Sequence, residues 1–340
     1  HPSFQGLRLD KKPADVVRET PASAADEGSQ KALQETAPAE QAGRKRPSRR
    51  AKSTARAKHG AEVEIGRIRL TNPDKSLYPE SGITKRDLAG YYAAVAEWIL
   101  PHLAQRPLSL VRCPNGWGKQ CFFQKNADKS SREALERVTV RTSEGPASYM
   151  MANSAQALTA LVQMGVLEIH PWGSTAKSQG CPDRIIFDID PGDDVTWPEV
   201  VQAAREVRTL LEGLDLRSFV KTTGGKGLHV VVPVQPRVAW DEVKGFSKAI
   251  ADLFARTFPD RYTSNMAKAK RRGRMFIDYL RNAEGATAVC AYSTRARANA
   301  PGAMPLAWEE LGGKDVRFEH FHVGNVPQRL GRLKADPWKG

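Results

Sequence analysis

Cysteine is scarce in this chain of 340 residues: there are four, at 113, 121, 181 and 290, with no CxxC pair and no histidine at a zinc-site spacing. Neither a structural zinc nor a disulfide framework is therefore expected, and a reducing cytoplasm is the simplest setting. Long apolar runs are missing too. No stretch approaches the roughly 20 residues that cross a bilayer, and no charged-then-apolar signal opens the chain, which excludes the usual marks of helical membrane insertion. Acidic charge is in the minority, with 38 Asp and Glu against 52 Lys and Arg, a formal net charge of +14. An excess of that size favours a polyanionic partner such as nucleic acid, although a basic protein without one has the same composition.

Large apolar residues are nearly absent from residues 20–61, too few to offset the entropy of ordering, so a disordered linker is expected there. Between Arg44 and Lys58 it carries eight basic residues and no acidic one (RKRPSRRAKSTARAK), which suits loose contact with DNA phosphates as well as it suits a solvated spacer. Ahead of it, HPSFQGLRLDKKPADVVRE is denser in apolar residues and begins without methionine, so the chain reads as a fragment of a longer polypeptide.

From Val63 onward, strands and helices interleave in an α/β pattern without internal repeats. Alternation predicts a strand over 63–70. Thr84 can cap a helix running to about Leu100, with Leu88, Tyr91, Tyr92, Val95 and Ile99 on one face. Strands are expected at 108–112, 119–124, 148–151 and 166–170, with a helix at 155–164. Thr196 and Glu199 form a capping-box pattern that opens a helix to about Leu214. Beyond it come strands at 218–222 and 228–232, a helix at 240–256, strands at 274–280 and 287–291, and a short helix near 305–311.

The sharpest local signal is Arg184-Ile-Ile-Phe-Asp188-Ile-Asp190-Pro-Gly, an apolar strand ending in two acids one residue apart. Positions i and i+2 share a face of a strand, so the two carboxylates crowd and repel unless a hard divalent cation turns repulsion into coordination. A turn in which the acids cap a following helix is the plainer alternative. A third acid, Asp278 in Met275-Phe-Ile-Asp-Tyr-Leu, interrupts an apolar strand and needs a metal, hydrogen bonds or a salt bridge to Arg274 or Arg281. Three acids and two metals are the equipment of phosphoryl transfer.

Between the acid strands lies Lys221-Thr-Thr-Gly-Gly-Lys-Gly-Leu-His-Val. Its glycines let backbone approach an anion, and Thr223, Lys226 and His229 add donors; a hairpin turn accounts for the glycines but not for those neighbours. The spacing is not that of a Walker A loop. Arg281, Arg295 and Arg297 follow and can clamp phosphate.

The ordered set FDIDP, KTTGGKGLHV, FIDYLRN and AYSTRAR with Pro301-Gly302 resembles the polymerase domain of bacterial ligase D, which belongs to the archaeo-eukaryotic primase superfamily and serves nonhomologous end joining. The resemblance runs over residues 62–335. Residues 1–19 resemble the tail of the oligonucleotide-binding-fold domain of ATP-dependent DNA ligases through Phe4, Gly6, Leu7, Arg8, Asp10 and Lys11, which implies a ligase domain in the same polypeptide.

The resemblance implies a primase-polymerase fold, mixed α/β (α+β), with central, mostly antiparallel sheets flanked by helices. It implies addition of ribo- or deoxyribonucleotides to 3′ ends at DNA gaps and breaks, with a bacterial cytoplasmic, nucleoid-associated location. Asp188, Asp190 and Asp278 would hold two Mn²⁺ (or Mg²⁺) ions; Thr223, Lys226, His229, Arg281 and Arg295 would bind the nucleoside triphosphate. Thr223 stands where the family often has serine and keeps the hydroxyl. Asn72, Lys75 and Lys85 would take a DNA 5′ phosphate, Lys85 lying where helix N-terminal amides favour an anion. Phe122 and Phe123 would stack on template bases, although adjacent strand residues face opposite ways and one of them can be core. His170, in Leu-Glu-Ile-His-Pro-Trp, would lie near the active site or serve as a core histidine beside Trp172. A Ku-like end-binding protein is the implied partner. A primase, or a DNA-end scaffold with relic acids, is the alternative; primer dependence and loss of activity on replacing the acids separate them.

Overall fold

The computed structural model describes residues 62–339 other than 66, 129–132, 143–144, 314–315 and 318–319. The ligase-like tail expected at 1–19 and the linker expected at 20–61 lie outside the described residues. In chain order the elements are β1 (Glu62–Ile65), β2 (Ile68–Thr71), β3 (Ser76–Tyr78), β4 (Ile83–Thr84), α1 (Lys85–Ala94), α2 (Ala96–Leu103), β5 (Leu108–Arg112) and β6 (Phe122–Gln124). There follow β7 (Glu136–Thr142), β8 (Gly145–Met151), α3 (Ala155–Gln163), β9 (Val166–Pro171), β10 (Arg184–Pro191), α4 (Trp197–Glu212), β11 (Phe219–Thr222) and β12 (Leu228–Pro233). The chain closes with α5 (Trp240–Thr257), β13 (Tyr262–Thr263), β14 (Met275–Asp278), β15 (Pro305–Leu306) and α6 (Val326–Leu330).

Two sheets organise these elements. One has the order β13-β14-β10-β12-β11-β15, antiparallel throughout except for the parallel β13–β14 pair. The other runs β6-β5-β8-β7, with β9 also paired to β5 and every pairing antiparallel. The mixed α/β class and the mostly antiparallel sheets expected from the sequence are what the structure has. On the first sheet Phe187, Ile189, Leu228, Val230 and Ile277 alternate onto one face, each wholly buried. That face receives α4 and α5, whose own buried stripes include Val200, Ala204 and Val207 on α4 and Val243, Ile250 and Phe254 on α5. The opposite face carries Asp188, Asp190, Lys221, His229 and Asp278 beside the apolar Ile186, Val231 and Phe276, and the candidate site forms at its polar part. No described helix is long and apolar enough to cross a membrane.

Several expectations need correction. The strand read over 63–70 is a hairpin of two strands, reversing at Arg67 with φ 68°. The helix from Thr84 has its capping box, Thr84 with Asp87, but breaks at Val95 into two helices whose far part keeps Ile99 and Leu103 buried. Residues 287–291 form no strand: Thr287 makes one bridge to Trp172, and Ala288 lies flat on Ile186 and Val231. The helix near Pro305 is instead edge strand β15, where a missing N–H costs nothing because no further strand asks for it. Strand β7 escaped notice because only Val140 of its seven residues is buried. Cys113 and Cys121 form a disulfide, against the expectation of none. The physical reason is register: Arg112 pairs with Phe122 across β5 and β6, so the next pair outward is Cys113 opposite Cys121, with Cα atoms 4.3 Å apart. Cys181 and Cys290 are free.

Candidate active site

Four strands of the first sheet place four titratable residues in one row. Asp278 on β14 is the cross-strand partner of Asp188 on β10, Asp188 of His229 on β12, and His229 of Lys221 on β11. Asp190, two residues on from Asp188, shares its face. The three acids expected to act together therefore converge. Asp188 and Asp190 line a cleft of about 180 Å³ with His170, Thr223, Lys226, His229, Arg281, Arg295 and Arg297. Asp278 is not in the lining and is 8% exposed, tied through its carboxylate to Arg281.

Charge balance at the acids is set by two arginines. Arg281 bridges Asp188 at 3.1 Å and Asp278 at 3.4 Å, while Arg271 reaches Asp190 at 2.7 Å and stacks 3.9 Å from the Phe276 ring centre. Arg274, the other candidate partner of Asp278, reaches the Pro259 carbonyl instead. Burial alone would raise the Asp188 carboxyl, but His229 and Arg281 outweigh it and hold it well below the usual carboxylate range. Burial and the charge of Asp188 push Asp190 up; burial pushes Asp278 up too, against Arg281. Two acids raised beside one ionised neighbour form a cluster still short of positive charge.

The hard oxygens of three acids on one face fit a divalent ion in chemistry. Among the described residues, no three Asp, Glu, His or Cys side chains stand close enough as posed to chelate one directly.

Next to Arg281 stands Asn282, which the sequence did not single out although it ends the FIDYLRN motif. The Asn282 side chain accepts from the Ile186 amide and donates to the Ile186 carbonyl, both at 2.8 Å, imitating another strand beside β10. Arg271, too, was missed, because its basic run looks like any solvated surface.

In the glycine-rich turn after β11 the glycines make room for neighbouring protein atoms. Gly224 has φ 65°, and a Cβ there would stand 2.7 Å from Arg295 Cγ; a Cβ on Gly227 would meet the Ile189 carbonyl at 2.3 Å. Thr223 is buried, and its hydroxyl donates to the Gly227 carbonyl and accepts from the Gly225 amide, so it shapes the turn. Lys226 is exposed at the cleft. Burial, with Lys221 beside it, pushes the His229 imidazole down to about 4, so it is neutral at pH 7. Its Nε2 lies 3.4 Å from Asp188.

His170 lines the cleft, 6.3 Å between ring centres from Phe123. Phe122 and Phe123 are 43% and 70% exposed, so neither is core; β6 is an edge strand, with the Arg112 guanidinium 5.3 Å from the Phe122 ring centre. Asn72, Lys75 and Lys85 gather at the start of α1, and none of them is in the cleft lining. The Lys75 ammonium donates to Asn115 at 3.0 Å, and Lys85 is buried, donating to the Thr71 carbonyl and Gln163 at 2.9 Å each. The helix amides expected to await an anion are engaged: those of Lys85 and Arg86 donate to the carbonyls of Lys75 and Pro73, and that of Asp87 to the Thr84 hydroxyl. Side chains, not free amides, are what this corner offers a phosphate.

An acid row facing a cleft walled by lysine and arginine, on an antiparallel sheet backed by helices, defines a nucleotidyl-transfer domain of the primase-polymerase class. The chain belongs to the LigD primase-polymerase domain family, whose sequence profile matches residues 84–338. It is 35% identical over 336 residues to the multifunctional non-homologous end joining protein LigD of Pseudomonas aeruginosa, covering 98% of this chain and 37% of that protein. To the multifunctional non-homologous end joining DNA repair protein LigD of Mycobacterium tuberculosis H37Rv it is 37% identical over 283 residues, covering 79% of this chain and 37% of that protein. The solved polymerase domain of Mycobacterium tuberculosis ligase D in complex with DNA superposes with a TM-score of 0.74 at 34% identity, over 79% of this chain and 96% of that one. The chain spans little more than a third of the length of these LigD proteins.

Proposed function

We propose that this chain adds ribo- or deoxyribonucleotides to 3′ ends at gaps and double-strand breaks in DNA, as the polymerase part of a non-homologous end-joining protein. The observation that carries the reading is the cross-strand pairing of Asp278 with Asp188, beside Asp190, at a cleft walled by cations. Asp188, Asp190 and Asp278 would hold two divalent ions, Mn²⁺ or Mg²⁺; when bound, these neutralise the triphosphate and lower the pKa of the 3′ hydroxyl. Lys226, Arg281, Arg295 and Arg297 bind and orient the triphosphate through charge-assisted contacts. Neutral His229 fixes the posture of Asp188, and Thr223 fixes the turn that brings Lys226 to the cleft.

Phe122 and Phe123 offer two exposed rings for template bases, and Lys75, with Asn72 and Lys85 around it, a cationic corner for a 5′ phosphate. The relatives' names, with end joining in them, support a place at DNA ends; the same reading includes a ligase domain in the same polypeptide, a domain boundary near residue 62, a Ku-like partner and a cytoplasmic, nucleoid-associated location.

The test is extension of a labelled primer on a gapped duplex, with and without a 5′ phosphate across the gap, comparing the protein with Asp190→Asn. A longer primer from the unaltered protein, lost in the variant, is expected. A shortened primer would mean a nuclease, and synthesis without any primer a primase.

A further inference from the structure

Glu168 is a buried carboxylate in contact with the cleft-lining His170 and Arg295, and none of these roles uses it. It lies on β9, 6% exposed, two residues before His170. One carboxylate oxygen stands 2.8 Å from His170 Nε2 and 2.9 Å from Arg295 Nε, close enough for an ion pair with the arginine although the Nε–H does not point straight at it. The other oxygen accepts from the Ala296 amide at 2.9 Å.

The segment it grips is unusual. Tyr292, Asn299 and Ala300 all have positive φ, at 64°, 63° and 47°, conformations that side chains other than glycine adopt only when their surroundings impose them. The same strand supplies much of that imposition: the Thr294 hydroxyl donates to the Leu167 carbonyl at 2.6 Å, and the Ile169 amide donates to the Ser293 hydroxyl at 2.9 Å. From the other side the Tyr78 hydroxyl donates to the Arg295 carbonyl at 3.0 Å.

We propose that Glu168 is a positioning residue for the nucleotide: one carboxylate holds both the Arg295 guanidinium and the His170 ring in the postures they present to the triphosphate pocket. This rests on the polymerase reading above. The physical need is plain. A free arginine side chain carries about 2 kcal/mol of rotamer entropy that binding an anion would have to remove. Here Nε faces Glu168 and one terminal nitrogen donates to the Thr223 carbonyl at 2.6 Å, which leaves the other terminal nitrogen for a phosphate in the cleft. A lone carboxylate so near a phosphate site would repel the ligand; this one is spent on a cation, a ring and an amide. Burial would raise its pKa, but the His170 hydrogen bond and Arg295 outweigh that and bring it to about 2, so the charge persists at working pH.

The test measures the Kd of a nucleoside triphosphate with the protein alone, by calorimetry, beside KM and kcat for its addition to a gapped duplex. The proteins are the unaltered chain, Glu168→Gln, Glu168→Asp, Arg295→Ala and the Glu168→Gln/Arg295→Ala double variant, each below its unfolding midpoint. Glu168→Gln should raise Kd and KM about tenfold while changing kcat less than about threefold, and Glu168→Asp should recover part of the loss. On the Arg295→Ala background the same change should cost less than about twofold, because nothing is left to position. Unaltered affinity in Glu168→Gln, or an equal factor in both backgrounds, overturns the proposal; if Glu168→Gln does not fold, full affinity in Glu168→Asp beside weakened Arg295→Ala does the same. A protein that binds nucleotide but never extends a primer refutes the polymerase reading while Kd still judges Glu168, and one that binds no nucleotide refutes both.

Discussion

Lys221 is where stability and charge collide, and replacing it tests the electrostatic account of the site. The residue is 3% exposed and its ammonium has no hydrogen-bond partner. Burial pushes its pKa down to about 7 from lysine's ordinary 10.5. At 1.36 kcal/mol per pH unit that displacement corresponds to roughly 5 kcal/mol. The sign follows from proton counting. Below pH 7 the lysine is charged in both states and the folded protein bears the whole cost of burying it. Between pH 7 and 10.5 the folded protein has released a proton that the unfolded chain keeps, so stability rises with pH. Lys221→Met conserves volume and removes the charge, and should stabilise the protein at pH 6 by about 3–5 kcal/mol. The advantage should shrink by about 1.4 kcal/mol per unit above pH 7 and nearly vanish by about pH 10. Urea unfolding followed by tryptophan fluorescence at pH 6, 7, 8 and 9 measures both trends. A variant less stable than the parent at pH 6, or an advantage that ignores pH, would refute the reasoning.

Other variants probe neighbouring features. Asp278→Asn removes an acid whose pKa burial has raised, so in metal-free buffer the variant should unfold at a higher temperature near pH 7, while primer extension falls by roughly a hundredfold or more. Phe123→Ala trims a ring that is 70% exposed; its unfolding midpoint should stay put, and affinity for a gapped template should drop by about 1–3 kcal/mol in a fluorescence-anisotropy titration. Cys121→Ser opens the short loop closed by the Cys113 bridge, at a cost of about 2–3 kcal/mol by the loop-entropy argument; the parent in a thiol reductant should match the variant in its unfolding midpoint.

The elements that carry chemistry were legible because local pattern and local physics agree. Asp188 and Asp190 share a face of any strand, Gly224 and Gly227 stand where a Cβ would strike Arg295 and Ile189, and Thr196 caps its helix with Glu199 as a motif should. Segments whose state depends on distant partners were not legible. Pro305 became a strand because β11 had an open edge, and 287–291 is tied to β9 and the residue after it by the Thr287–Trp172 bridge and the Cys290 amide on the Ile169 carbonyl, contacts no local pattern announces.

What this sequence determined by itself was an inventory: acids at strand ends, a turn built for close approach, an aromatic pair on one strand, and an excess of positive charge. Only the tertiary structure decided that Asp278 stands opposite Asp188, that Glu168 meets both Arg295 and His170, and that Cys113 faces Cys121. Those pairings depend on register between strands far apart in the chain. Register is chosen by burying Phe187, Ile189, Val230 and Ile277 together on one face, a property of the whole sheet that no single segment encodes.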